Sequence, residues 1–166
     1  QAETAVRETY RIVGEAQISY QDYISGRIFD DAVSYSFYPI DLHDRDGVRP
    51  QPLAEGIVAT VPLRALIPKG SKNLLVAGRS VSSDRLANSA LRVQASSMAM
   101  GQAAGAAAAL SASQEATPSQ IQIAELRELL LQHQAIVPIP EVTAISEQRI
   151  NANKSSVNCQ VNAASN

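Results

Sequence analysis

The feature that most constrains the fold is a short apolar run followed by a long segment of small residues. The run covers 74–77 and ends at Gly78, which is the pattern of a strand buried on both faces of a parallel sheet. In the segment 95–112, 14 of 18 residues are Ala, Gly or Ser. Because alanine favours helix and each glycine costs only about 1 kcal/mol, we predict a helix over 92–110.

Four small residues recur at every fourth position along this predicted helix and form a stripe that is nearly free of side chains. This small-residue stripe consists of Ser97, Gly101, Gly105 and Ala109. It would let the helix lie very close to a sheet, and the pattern alone favours that interpretation. Tight packing there predicts that Gly101→Leu or Gly105→Leu destabilises the fold by about 1–3 kcal/mol. The alternative is a ligand site, because ligands bind at the carboxyl ends of parallel strands and helix starts attract negative charge.

Composition restricts the class of function. The 166 residues carry a net charge of −2 and only 4% aromatic residues, which disfavours nucleic-acid binding, since that would require a basic surface and stacking platforms. The small-residue segment is rich in alanine rather than leucine and carries polar side chains, which argues against a membrane span. Cys159 is the sole cysteine, and His43 and His133 are far apart, so we predict neither an intrachain disulfide nor a metal site.

Local patterns predict the other elements. Strands are expected over 8–19, 34–42 and 57–63, helical turns over 20–24 and 27–33, and an irregular stretch over 80–89. Ser19 and Asp22 have the spacing of a capping box. Thr117 followed by Pro118 predicts the start of an amphipathic helix that ends near His133.

The string LLVAGRSVSSDRLANSALRVQASSMAMGQAAGAAAAL resembles the C-terminal flavin-contacting segment of FAD-dependent oxidoreductases related in flavin fold to fumarate reductase and glutathione reductase. The likeness extends upstream through the blocks RETYRIVGE, YPIDLH and VPLRALIPK and covers roughly residues 6–134. One departure is clear. The eight glycines contain no G-x-G, so the family's N-terminal dinucleotide fingerprint has no counterpart in this sequence.

The resemblance implies an α/β fold, or α+β if the chain is a fragment. Residues 1–70 would form part of a β-rich substrate-side domain, and 71–134 the C-terminal strand and helices of an FAD-binding, Rossmann-like domain. Residues 135–166 lack an apolar period and are expected to form an extended tail. The expected partner is the missing N-terminal FAD-binding portion, on the same chain or on another. The cytoplasm is favoured over secretion.

The resemblance also implies residues that contact FAD. They lie at the strand end and at the helix start and are Gly78, Arg79, Arg92, Val93 and Gln94. Gly78 would let the backbone approach FAD, and Arg79 would reach its phosphate or ribitol region. The helix start, aided by Arg92, would stabilise the negative charge of reduced flavin.

No catalytic residue is assigned, and two candidates are weak. His43 lies near Asp41 and Asp44 and has the pKa range of a general acid or base, although such a histidine is more often a surface hydrogen-bonding residue. Arg64 lies on the segment that returns toward the flavin domain and would face flavin or substrate, and an exposed arginine at a strand end is the equal alternative.

The leading hypothesis is therefore the C-terminal portion of an FAD-dependent oxidoreductase that acts on a small-molecule substrate. The competing hypothesis is a non-catalytic structural or interaction module that retains a flavoprotein-like fold. Titration with FAD separates these two classes.

Overall fold

The computed structural model describes residues 10–42 and 49–138. Six regular elements follow one another: α1 (Tyr20–Ser25), β1 (Ala32–Ser36), β2 (Ala59–Pro62), α2 (Arg85–Leu91), α3 (Gln94–Ser113) and α4 (Ile123–Gln132). Two 3-10 turns, Leu63–Ala65 and Gly78–Ser80, lie between β2 and α2. None of the helices in this described part is long and apolar enough to cross a membrane.

The sheet consists of β1 and β2, which pair antiparallel. Ser36 lies opposite Ala59, and an irregularity in the register separates Ala32 from Ser34. Helix α3 packs on β1, and the core lies between them, with α1, α2 and α4 around it. The largest fully buried side chains include Tyr23, Ile18, Leu66, Ile67, Leu91, Met100, Leu126 and Leu130.

The predicted strand over 74–77 is not formed, and this prediction was wrong for the described chain. Val76 donates its N–H to the carbonyl of Leu66 at 2.8 Å, but no strand pairs with the run, and Leu74 is 52% exposed. A buried strand requires neighbours that satisfy its backbone on both edges. The described residues form no parallel sheet, and their helices with a small antiparallel sheet are compatible with an α/β fold.

The first half of the chain mixes confirmed and wrong predictions. The capping box at Ser19 is confirmed, because its hydroxyl accepts from Asp22 N and the Asp22 carboxylate accepts from Ser19 N. The strand predicted over 8–19 is absent from the described residues 10–19, where isolated bridges form at Gly14 and Ile18. A helical turn over 27–33 is also wrong, since Gly26 ends α1 with φ of 67° and the chain then extends into β1.

The later elements differ from the predicted ones mainly in the residue at which they begin. The prediction of an irregular stretch over 80–89 was wrong for its second half, because α2 begins at Arg85, where the Asp84 carboxylate accepts from Ala87 N at 2.8 Å. Helix α4 ends at the predicted place but begins at Ile123. The Thr117 hydroxyl and N–H both bond to the Gln120 side chain, so Thr117 closes a separate turn instead of capping α4. The two strands predicted over 34–42 and 57–63 are confirmed in part as β1 and β2.

Helix α3 confirms the central prediction, but it buries a different face from the one expected. Its buried residues are Ser96, Met100, Ala103, Ala107 and Ser111. The small-residue stripe lies on another face, where Gly101 and Gly105 are exposed and an added Cβ would meet no atom within 4 Å. The expectation that leucine at either glycine overpacks this fold was therefore wrong.

Candidate functional site

The structure brings Gly78 to the first turn of α3. Gly78 has φ of 77°, in the left-handed region that favours glycine. A Cβ built on Gly78 would lie 3.7 Å from the Cβ and Oγ of Ser97. The 3-10 turn that begins at Gly78 packs against α3. The predicted strand end and the predicted helix start, 16 residues apart in sequence, thus form one junction.

The start of α3 presents backbone donors. Val93 is the N-cap, and among the described residues no side chain caps this helix. The first N–H to reach a helical acceptor is that of Ser97, which donates to Val93 O at 2.9 Å. The N–H groups of Gln94, Ala95 and Ser96 precede it, and helix geometry gives them no acceptor within the helix. Such an end attracts a negative group through its N–H donors and the helix dipole.

Arg92 lies directly before this helix start and is held by the backbone of another segment. Its Nη2 donates to the carbonyl of Asp41 at 3.0 Å. The same residue, Asp41, donates its N–H to the Ser89 hydroxyl at 3.1 Å. Arg92 Nε is buried and has no hydrogen-bond partner in the described parts of the chain. A buried unpaired donor costs roughly 1–3 kcal/mol, so this nitrogen is suited to an acceptor that the described residues do not provide.

Arg79 and its surroundings fix the loop between Gly78 and α2. The side chain of Arg79 is exposed, and its carbonyl accepts from Asn88 Nδ2 at 3.2 Å. Asn88 is buried and donates also to the Ser83 hydroxyl at 3.1 Å. Asn88 therefore anchors the loop through the Arg79 carbonyl.

Arg64 is placed in the 3-10 turn after β2, where it forms a forked ion pair with Asp31. Its Nε and Nη2 each lie 3.1 Å from one carboxylate oxygen of Asp31. The hydrogen bonds and charge of Asp31 raise the pKa of Arg64 further above its ordinary value. The role of Arg64 toward flavin or substrate stays a prediction. His43, the other weak candidate, lies outside the described residues.

Sequence reasoning missed the groups that support this junction. The carbonyl of Asp41 and the Ser89 hydroxyl position Arg92, and Asn88 positions the loop. No local pattern could have identified them, because each contact joins distant segments or uses a backbone atom. Within residues 10–42 and 49–138, no group of three or more His, Cys, Asp or Glu side chains could hold a metal ion.

The junction has groups that bind an electron-rich carbonyl or a developing negative charge. In the described structure it offers backbone donors without helical acceptors, a glycine that permits close approach, and a buried guanidinium nitrogen without a hydrogen-bond partner. The residues that would hold such a group are Gly78, Arg92 and the first turn of α3.

Comparison with known proteins identifies the family. The chain matches the family described as FAD dependent oxidoreductase over residues 1–130. Because this match covers most of the 166 residues, the chain belongs to that family: it is a flavoprotein oxidoreductase, and FAD is its cofactor. The comparisons with curated proteins and with solved structures found no match. Membership in this family does not favour the alternative of a non-catalytic module.

Proposed function

We propose that this chain supplies the C-terminal portion of an FAD-dependent oxidoreductase of the glutathione-reductase and fumarate-reductase type. In this proposal the junction of Gly78 with α3 contacts the isoalloxazine end of FAD. The observation that carries the proposal is the start of α3, which no described side chain caps, beside a left-handed glycine and a buried Arg92 Nε without a hydrogen-bond partner among the described residues.

FAD supplies the electron-transfer chemistry, and its reduction gathers negative charge at the N1 and C2 carbonyl end. The N–H groups of Gln94, Ala95 and Ser96 stabilise that charge because they are fixed before the reaction and need no reorganisation. Arg92 adds a full positive charge next to the same helix start. The Asp41 carbonyl holds the Arg92 guanidinium in place. In this proposal Asp41 belongs to the substrate-side domain. Arg79 reaches toward the phosphate or ribitol region.

The rest of the flavin-binding domain covers two surfaces of this chain. The small-residue stripe on α3 is open, with room for a closely packed backbone at Gly101 and Gly105. The extended run 74–77 is without a strand partner in the described structure and would pair with the strands of a parallel sheet. The covering portion would carry the glycine turn that holds the pyrophosphate, and residues 1–70 would form part of the substrate-side domain.

Titration with FAD tests this proposal. The 166-residue chain alone should not retain FAD, because several pyrophosphate hydrogen bonds, each worth roughly 1.5–3 kcal/mol when charge-assisted, would be lost. At about 1.4 kcal/mol per tenfold in affinity, this loss corresponds to several orders of magnitude. Adding the N-terminal portion should restore binding and the visible flavin bands. Tight binding by the chain alone would contradict the proposed division of the site.

A further inference from the structure

Three buried hydroxyl groups connect α1, β1 and the first turn of α3. They belong to Tyr23, Ser36 and Ser96, which are 0%, 2% and 4% exposed. The Oγ of Ser36 lies 3.1 Å from the Tyr23 hydroxyl and 2.8 Å from the Oγ of Ser96. We refer to these three groups as the hydroxyl chain. It ties the start of α3 to two elements that lie far before it in sequence.

The hydroxyl chain has one direction of donation. The Tyr23 hydroxyl donates to the carbonyl of Tyr38 at 3.0 Å, so its single hydrogen is committed. Ser36 must then donate to Tyr23, and Ser96 must donate to Ser36. Loss of the Ser36 hydroxyl would remove the acceptor of Ser96 and a donor to Tyr23 at the same time. Ser36 is therefore the link on which the contact with α3 depends.

Ser96 lies in the turn that carries the backbone donors of the helix start. It is the third residue of α3, and its N–H precedes the first helical hydrogen bond, which runs from Ser97 to Val93. Helix ends fray unless a cap or packing holds them. A capping side chain would hold the turn by accepting from its N–H groups, and no described side chain does so. The hydroxyl chain holds the turn through the Ser96 side chain and does not use those N–H groups.

We propose that Ser96, Ser36 and Tyr23 are positioning residues for the flavin: they hold the first turn of α3 in helical geometry while its N–H groups stay open to the cofactor. This inference rests on the proposed contact between that turn and FAD. Donors that are fixed before a ligand arrives cost little further ordering when it binds. Because Ser36 and Tyr23 lie within residues 1–70, the segment proposed for the substrate side also sets the geometry of the flavin contact.

Amide exchange of Ser97 in the 166-residue chain measures how firmly the turn is held. The Ser97 N–H donates to the carbonyl of Val93 at 2.9 Å, so it is exposed when the turn opens locally. Ser36→Ala should speed this exchange about 5- to 10-fold, as expected for one lost hydrogen bond. A loss of global stability alone would instead speed exchange in the buried middle of α3, at Ala103 and Ala107, and leave Ser97 unchanged.

Two further variants make the test specific. Ser34→Ala is the matched control, because Ser34 lies on the same strand, is 2% exposed and has no hydrogen-bond partner for its hydroxyl among the described residues. It should leave the exchange of Ser97 unchanged. Ser96→Ala removes the last hydroxyl of the chain and should speed the exchange as Ser36→Ala does. Adding Ser36→Ala to Ser96→Ala should give no further increase, since Ser36 acts through Ser96.

Fluorescence titration of the complete protein connects the hydroxyl chain to the cofactor. Ser36→Ala should weaken FAD binding about 2- to 5-fold, because a helix end opens at little cost and only the closed fraction binds. Ser34→Ala should leave the affinity unchanged. Equal Ser97 exchange in Ser36→Ala and Ser34→Ala would overturn the proposal, and so would unchanged FAD affinity in a Ser36→Ala protein whose Ser97 exchange had risen. If the unsubstituted complete protein does not bind FAD, the proposed function is refuted, and the Ser97 rates still decide whether the hydroxyl chain holds the turn.

Discussion

Alanine at Gly101 or Gly105 should stabilise the isolated chain but weaken the complete flavin-loaded protein. Both glycines lie in the interior of α3, and an added Cβ at either meets no atom within 4 Å. Alanine is roughly 0.8–1.0 kcal/mol more favourable than glycine in a helix interior. The double variant should therefore raise the free energy of unfolding of the 166-residue chain by about 1.6–2 kcal/mol, if the two sites add.

In the complete protein, the added methyl groups would meet the portion that covers the small-residue stripe. Overpacking a tight contact costs about 1–3 kcal/mol, which offsets or exceeds the gain in helix propensity. Urea unfolding followed by circular dichroism measures the stability of the 166-residue chain. The temperature of flavin release measures the stability of the complete protein. If the double variant stabilises both preparations equally, the stripe is not a packing surface and the reasoning is refuted.

Gly56→Ala is a matched control for this experiment. Gly56 has φ of 77° and no atom within 4 Å of an added Cβ, so the change introduces backbone strain without a steric contact. A left-handed conformation costs an L-residue about 1–2 kcal/mol. We expect this loss of stability in both preparations, without the change of sign expected for Gly101 and Gly105.

Three further predictions concern the helix caps and the charge at the helix start. Asp84→Ala should lower the free energy of unfolding by about 2–4 kcal/mol, because the Asp84 carboxylate caps α2 and also accepts from the N–H of Tyr20. An unfolding midpoint in urea that is unchanged within error would contradict this prediction. Arg92→Ala should lower the flavin reduction potential, since removing a cation disfavours the negative reduced form. A redox titration without a decrease would exclude this role for Arg92. Burial alone would raise the pKa of Asp22, but hydrogen bonds from Arg27 and Ser19 outweigh it and hold the pKa below its ordinary value. Stability from this carboxylate is therefore present above its unfolded pKa and lost as the pH falls through the folded pKa, so Asp22→Asn should flatten the acid side of the stability profile.

Local signals in the sequence were sufficient where one segment determines its own structure. The capping box at Ser19 and the alanine-rich helix α3 depend on residues within one or two turns of each other, and both are present. The strand expected over 74–77 does not form, because a strand depends on segments that are distant in sequence. An apolar run becomes a strand only beside strands that accept its backbone hydrogen bonds, and the described chain offers none there.

In the candidate site, too, the features set by local sequence were predictable and those set by distant segments were not. The start of α3 near Arg92 and the exceptional backbone at Gly78 were predictable, because a helix start and a glycine after an apolar run have local signatures. The contact that holds Arg92 was not predictable, since it uses the carbonyl of Asp41, 51 positions away. Which face of α3 is buried also depends on its neighbours, because alanine and glycine on every side give the helix little amphipathic pattern.

Hydrogen–deuterium exchange at the first turn of α3 tests the central claim most directly. The measurement compares amide exchange at 94–96 in the complete protein with and without FAD. These N–H groups lack helical acceptors, so they should exchange fast without the cofactor and become protected when FAD is bound, while the middle of α3 changes less. Equal exchange at 94–96 in both states would contradict the claim that this helix start contacts the flavin.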